Sequence, residues 1–263
     1  MLNLDSVRAK LERAGEHGRL LDQELDAWLK DTPYALSHKV SRDQLRHSVI
    51  VSILKPPPLT RWALFLGDAV HNMRSALDHL VYAISVHELK LDPPPNQGRC
   101  AFLINDTRDD FRSKHWRIKE LSEPVREAIE SVQPYNRKHP TMPPLLGVLR
   151  DFDDADKHRL IKIVLQQPTD IKVSATGPGV RPEDLRFETA HANVVNGFEI
   201  ASVTSRSPMP HLKIDCSVTL SVAVEHAPGP AGHERRGIEA FVLEDLLPEV
   251  HQVVEIVKAA VSA

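Results

Sequence analysis

Leu66 to Tyr82, LGDAVHNMRSALDHLVY, is the stretch from which the fold is read. At roughly 100° per residue, Asp68, His71, Asn72, Ser75, Asp78 and His79 share one helical stripe about 120° wide. Ala69, Val70, Met73, Ala76, Leu77, Leu80, Ala83 and Ile84 fill the opposite face, the pattern of an amphipathic helix packed on a core. Its polar face is unusual. Solvated helix faces are built from Lys, Glu, Gln and Arg, which are flexible and favour helix. This one uses short groups suited to fixed hydrogen bonds, proton transfer or metal ligation. Arg74 stands at its border.

Working outward, Lys55-Pro56-Pro57-Pro58 breaks the chain just upstream, and Thr60 is placed to cap a helix that runs to about His87. Residues 2–30 carry Leu4, Val7, Leu11, Ala14, Leu21, Leu25 and Trp28 at helical spacing, with Gly15 and Gly18 weakening the middle. A β-hairpin near 37–54 follows, marked by the β-branched HSVIVSIL. Downstream, CAFLI at 100–104 reads as a short buried extended stretch. Asp109 to Glu120 gathers Arg112, Lys114, His115, Arg117 and Lys119 around Trp116 and reads as a solvated turn. Ser122-Glu123-Pro124 opens a helix to about Val132, and a third strong helix spans about Pro144 to Val164. Beyond 168, IKVSATG, LRFETAHANV, GFEIASVTS and HLKIDCSVTLSVAVEH alternate or carry β-branched runs, as an antiparallel meander does. Residues 238–262 close the chain as an amphipathic helix.

Helices first, then strands, then a helix imply an α+β fold: a helical bundle with an appended antiparallel sheet and a C-terminal helix. The expected division is a mainly helical part over 1–166, a sheet region over 168–228, and a closing helix over 238–262 packed on the helical part. The sheet region's Glu188, His191, Asp215, Glu225 and His226 read as exposed and scattered.

The 263 residues, 41% hydrophobic and 26% charged, describe an ordinary globular chain. A net charge of -3 supplies no overall basic field, so nucleic-acid contact would need a local patch. Cys100 and Cys216 form neither a disulfide framework nor a metal motif. The N-terminus lacks a signal-peptide core, and no apolar run reaches about 18 residues. A cytoplasmic protein with no membrane contact is expected. There is no phosphate-binding Gly-rich loop and no G-x-S-x-G elbow.

A second polar cluster, RDFDDADKHRLI, occupies 150–161. Asp151, Asp154 and His158 share one stripe, and Val148, Leu149, Phe152, Leu160 and Ile163 form the apolar side. Asp156 falls on the apolar side, which predicts a partly buried carboxylate in need of a partner; Arg74 is the candidate. If the two helices pack together, Asp68, His71, Asn72, Arg74, Asp78, His79, Asp151, Asp154, Lys157 and His158 converge.

Arg74-Ser-Ala-Leu-Asp78-His79 is an R-x4-H motif on a helix. It resembles the signature of the HEPN superfamily, helical proteins that include many ribonucleases of toxin, defence and RNA-processing systems. The resemblance implies a metal-independent endoribonuclease in which His79 moves protons and Arg74 stabilises the phosphorane. Ser75 takes the polar position after the Arg, and Asp78 is a further candidate beside His79. It also implies a homodimer, RNA as substrate, no cofactor, and a protein partner such as an antitoxin. GDAVHNMRSALDHLVY with the later DADKHRLI is similar, besides, to a pattern recurring among bacterial proteins to which no activity is attached.

A metal site is the rival. Asp68-x2-His71 and Asp154-x3-His158 each put a carboxylate and an imidazole on one helix face, as in carboxylate-bridged metal bundles. With His79 and Asp151 completing the shell, such ligands suit a divalent transition metal. The third class is a non-catalytic interaction module whose polar stripe serves packing.

Overall fold

Proline punctuation and apolar spacing set the element boundaries. The computed structural model describes residues 2–95, 97–137, 144–166, 171–190, 193–218, 220–224 and 241–261. Helix α1 (Asp5–Lys30) leads into strands β1 (Tyr34–Val40) and β2 (Arg46–Ile53), then the long helix α2 (Leu59–Leu89). Three helices follow: α3 (Arg108–Lys114), α4 (Glu123–Ser131) and α5 (Leu145–His158). Next come β3 (Ile163–Gln166), β4 (Lys172–Thr176), β5 (Leu185–Thr189), β6 (Glu199–Ser205), β7 (Lys213–Ser217) and β8 (Ser221–Val224). A π-helical turn over Phe241–Leu246 precedes the C-terminal helix α6 (Leu247–Ala260). The fold is α+β.

The chain forms two units, each discontinuous in sequence. The helical unit takes Met1–Gln23, Thr60–Ile161 and His226–Ala263. Its core is the apolar face of α2, where Trp62, Leu66, Met73, Leu77, Leu80 and Ile84 are fully buried. Helix α6 packs on α4 and α5 through Val250, Val253 and Val257, which are buried. Gly18, which costs α1 helix propensity, leaves room for the C-terminal segment. A Cβ there would lie 2.5 Å from Leu243 Cδ2.

The sheet unit takes Glu24–Leu59 and Lys162–Glu225. Its main sheet is antiparallel in the order β1-β2-β6-β5, beside the two-stranded pairs β3-β8 and β4-β7. Strand β2 is central and buried along most of its length, and its partner β6 buries Ile200 and Val203 completely. The hairpin near 37–54 therefore belongs to the sheet, through β2–β6 pairing, rather than to a helical part ending at 166.

Two other sequence expectations are corrected. The third strong helix stops at His158, not Val164: Arg159 turns extended, and Ile163-Val164-Leu165 pair with β8 instead. Helix α2 starts at Leu59, so Thr60 sits in its first turn rather than capping it. The segment around Trp116 is an exposed turn as expected, a 3-10 turn over His115–Arg117. It follows α3, which is capped by Thr107, whose side chain accepts from the Asp110 N–H, and which buries Phe111. Residues 191, 225, 226 and 238–240 lie outside the described residues.

Candidate functional site

The polar face of α2 carries two separate groups of side chains. The first holds the CAFLI segment in place. Residues 101–105 have no strand partner, yet Phe102, Leu103 and Ile104 are buried, and buried backbone groups must be paired. Side chains do the pairing. The Phe102 N–H donates to Asp78 Oδ1 at 2.8 Å, and Arg74 Nη2 donates to the Phe102 carbonyl at 2.8 Å. Gln133 accepts from the Asn105 N–H at 2.9 Å and donates to the Leu103 carbonyl at 2.7 Å. Arg74 and Asp78 are also paired with each other, at 3.0 Å.

This clamp consumes the Arg of the R-x4-H motif. The Arg74 side chain is only 16% exposed, and its Nη1 is buried without a hydrogen-bond partner. Burial pushes the Asp78 carboxyl up from the ordinary carboxylate range, against the pull of the Arg74 guanidinium and the Phe102 N–H. His79 is half-buried and about 140° around the helix from Arg74. Ser75 is half-buried on the same face as His79.

The second group lies between α2 and α5. Asp153, 2% exposed, meets His71 Nδ1 at 3.1 Å through Oδ1 and Lys157 Nζ at 2.6 Å through Oδ2. His71 itself is 57% exposed. Buried Asp153 thus fixes an imidazole that faces solvent, with an ammonium alongside, an arrangement able to accept and return a proton. Its hydrogen bond to Asp153 raises the Lys157 ammonium, which keeps it charged. Around this pair, Asp156 lies half-buried against Gly67, where a Cβ would come within 2.5 Å of Oδ1. Burial pushes its carboxyl up, and the charges of Asp68 and Asp153 push it further, with His71 opposing.

Helix α1 borders the group. His17 Nδ1 is 3.6 Å from Asp68 Oδ2; burial lowers this imidazole, so it is neutral at pH 7, with Asp68 pulling the other way. Lys10 Nζ donates to Asn72 Oδ1 at 3.2 Å, and Asn72 Nδ2 donates to the Asp68 carbonyl at 2.7 Å.

The structure therefore brings together Asp68, His71, Asn72 and Lys157, and beside them the pair Arg74 and Asp78, whose carboxyl also feels the charges of Asp153 and Lys157. Asp151 belongs elsewhere, paired with Arg150, which also reaches Asp106 at 2.9 Å. Asp154 is exposed, paired with Lys157, and His158 is exposed at the end of α5. Asp156 is partly buried, as its place on the apolar side predicts, but its neighbour Asp153 is buried more deeply, and the partner of Arg74 is Asp78, not Asp156. Asp153 and His17 are the site residues that sequence reasoning missed. The i,i+4 pair Asp153–Lys157 was the available signal for the first. Among the described residues no three His, Cys, Asp or Glu side chains are grouped to hold a metal ion. Asp68 instead faces His17, and His71 faces Asp153.

Fold and site define an α+β protein with a buried side-chain clamp and a half-exposed His–Asp–Lys group on its helical unit. Comparison of the chain with family models, with curated proteins and with solved structures finds no match. Among the described residues no helix is long and apolar enough to cross a membrane.

Proposed function

We propose that the helical unit is a HEPN-like interaction module without nuclease activity, acting as a homodimer that binds a protein partner. The observation that carries this reading is the clamp: Arg74 is bound to the Phe102 carbonyl and to Asp78. A guanidinium held by the protein's own backbone, with little exposure, is not presented to a scissile phosphate. Its partner in the motif, His79, lies on another part of the helix surface. The R-x4-H segment then serves folding, fastening residues 101–105 to α2.

A second reading, a metal-independent endoribonuclease of a defence or toxin type, is favoured by one observation. His71 is oriented by buried Asp153 and flanked by Lys157, which together offer a proton carrier and a cation for a phosphate. The test is an RNA-cleavage assay in excess chelator, with elemental analysis of the untagged protein and light scattering for the dimer. The module reading expects a dimeric mass, no bound metal, and no cleavage above that of His71→Ala or His79→Ala. Cleavage lost in His71→Ala but kept in His79→Ala would replace it with the nuclease reading centred on His71. Near-stoichiometric metal would replace both.

A further inference from the structure

A cavity of about 200 Å³ opens beside α3 on the helical unit. Its surface is more polar than apolar; its buried lining residues are the apolar Pro94, Ile118 and Leu121 at the floor, with Ser85 turned back on its own helix to bond the Val81 carbonyl. Its rim is cationic. The guanidinium groups of Arg99 and Arg117 lie 5.2 Å and 5.6 Å from the centre of the Trp116 ring, which is 48% exposed. Cation–π attraction holds two like charges on one ring, and Lys119 adds a third at the same rim. No ion pair joins Arg99, Arg117 or Lys119 to a described carboxylate, whereas Arg46, Arg150 and Lys157 are all so paired. Among the described lining residues Glu120 is the single acid.

We infer that this cavity seats an acidic peptide segment of a protein partner, one apolar side chain entering the floor and flanking carboxylates meeting Arg99, Arg117 and Lys119. The inference rests on the interaction-module reading and names its partner chemistry. Volume decides between a segment and a small cofactor: pockets that enclose whole ligands run to roughly 300–1,000 Å³, and this one is smaller, sized for an anchoring side chain with the rest of the ligand outside. The charge-free floor calls for an apolar anchor. An exposed Trp with two Arg at the mouth is the composition of an interface hot spot, and arginine clusters recognise acidic motifs. Burial also pushes the Cys100 thiol of the lining up, and the Glu120 charge adds to this, so it stays protonated and the cavity is built for binding rather than covalent chemistry.

The test uses the full-length protein and a fluorescein-labelled pool of short Asp/Glu-rich peptides, the central residue varied over Leu, Ile, Met, Phe and Trp. Saturable anisotropy is expected, weakened at least tenfold by Trp116→Ala and by Arg117→Glu, and falling with added salt. The same pool with a central Gly is expected to bind at least tenfold more weakly. Absence of saturable binding at about millimolar protein, or binding unchanged in both variants, overturns the inference. So does a short single-stranded RNA that binds at this rim more tightly than the pool and displaces it. Far-UV circular dichroism checks that both variants fold. Failure of the peptide pool with RNA still uncleaved removes only this site; cleavage of RNA removes the module reading itself.

Discussion

Arg74 joins the Phe102 carbonyl to the Asp78 carboxylate. Removing it leaves the Phe102 carbonyl without its side-chain donor and the Asp78 carboxylate with the Phe102 N–H but no cation, a loss of about 1–3 kcal/mol. Arg74→Ala is therefore expected to lower the unfolding free energy measured by urea titration by that amount, and Arg74→Gln, which retains a donor, by less. Equal losses in the two variants would show that the hydrogen bonds carry nothing. Protonation acts at the same scale. His17 and His38 are both held below the ordinary value of 6.5, chiefly by burial, with His47 adding to the effect on His38 and Asp68 opposing it on His17. A depressed imidazole contributes stability that is complete above 6.5 and is lost as pH falls through its folded value. The melting temperature should fall from about pH 7 to about pH 5, and His17→Gln should flatten part of that slope. Asp78 and Asp156, both pushed up, work in the opposite sense: the fold binds their protons more readily than the unfolded chain, so they gain stability as pH drops into the carboxylate range. A slope in His17→Gln identical to that of the natural protein would exclude His17 as a contributor.

Between elements, α2 and α5 approach tightly where Gly67 meets Asp156. An Ala there puts a methyl within 2.7 Å of the carboxylate carbon and closer still to one oxygen, so the side chain or the helix must move. Gly67→Ala is expected to cost about 1–3 kcal/mol by overpacking, and Asp156→Ala in the same chain to recover most of it. Chemical denaturation of the two single variants and the double variant gives the coupling; strict additivity would mean the contact is relaxed at no cost. Elements were also where sequence and structure agreed unevenly. The amphipathic stripe of α2 was legible because apolar period and helix length reinforce each other over 31 residues. The end of α5 was not, because Leu160, Ile161 and Ile163 continue the helical period while β-branched residues suit a strand equally, and a tertiary partner, β8, decided the matter. The burial of Asp153 was hidden for a related reason: its face is set by what α5 packs on, and a helical wheel does not contain that. The clamp was unreadable too, since it joins Arg74 and Asp78 to backbone groups 28 and 24 residues away.

At the scale of the whole chain, sequence order and spatial order part company. The hairpin β1–β2 is encoded between α1 and α2, but β2 completes its ladder only with β6, from Arg46 opposite Thr204 to Ile50 opposite Glu199. Arg46 adds an ion pair to Glu199 at 2.6 Å. A lone two-stranded hairpin is marginal in water, and β2 would then expose Val49, Ile50 and Val51, all buried here. A chain from which residues 162–225 are excised retains every segment of the helical unit, α6 included, and should keep its helices, while its hairpin loses protection. Hydrogen exchange followed by mass spectrometry should find residues 46–53 protected in the full chain and exchanging near the unfolded rate in the excised one. Retained protection would mean that β1 and β2 are stable without β6 and that the sheet unit is assembled from independent parts. Loss of protection would make the late strands a condition for folding the early hairpin, so that the sheet closes only once residues up to 205 are available.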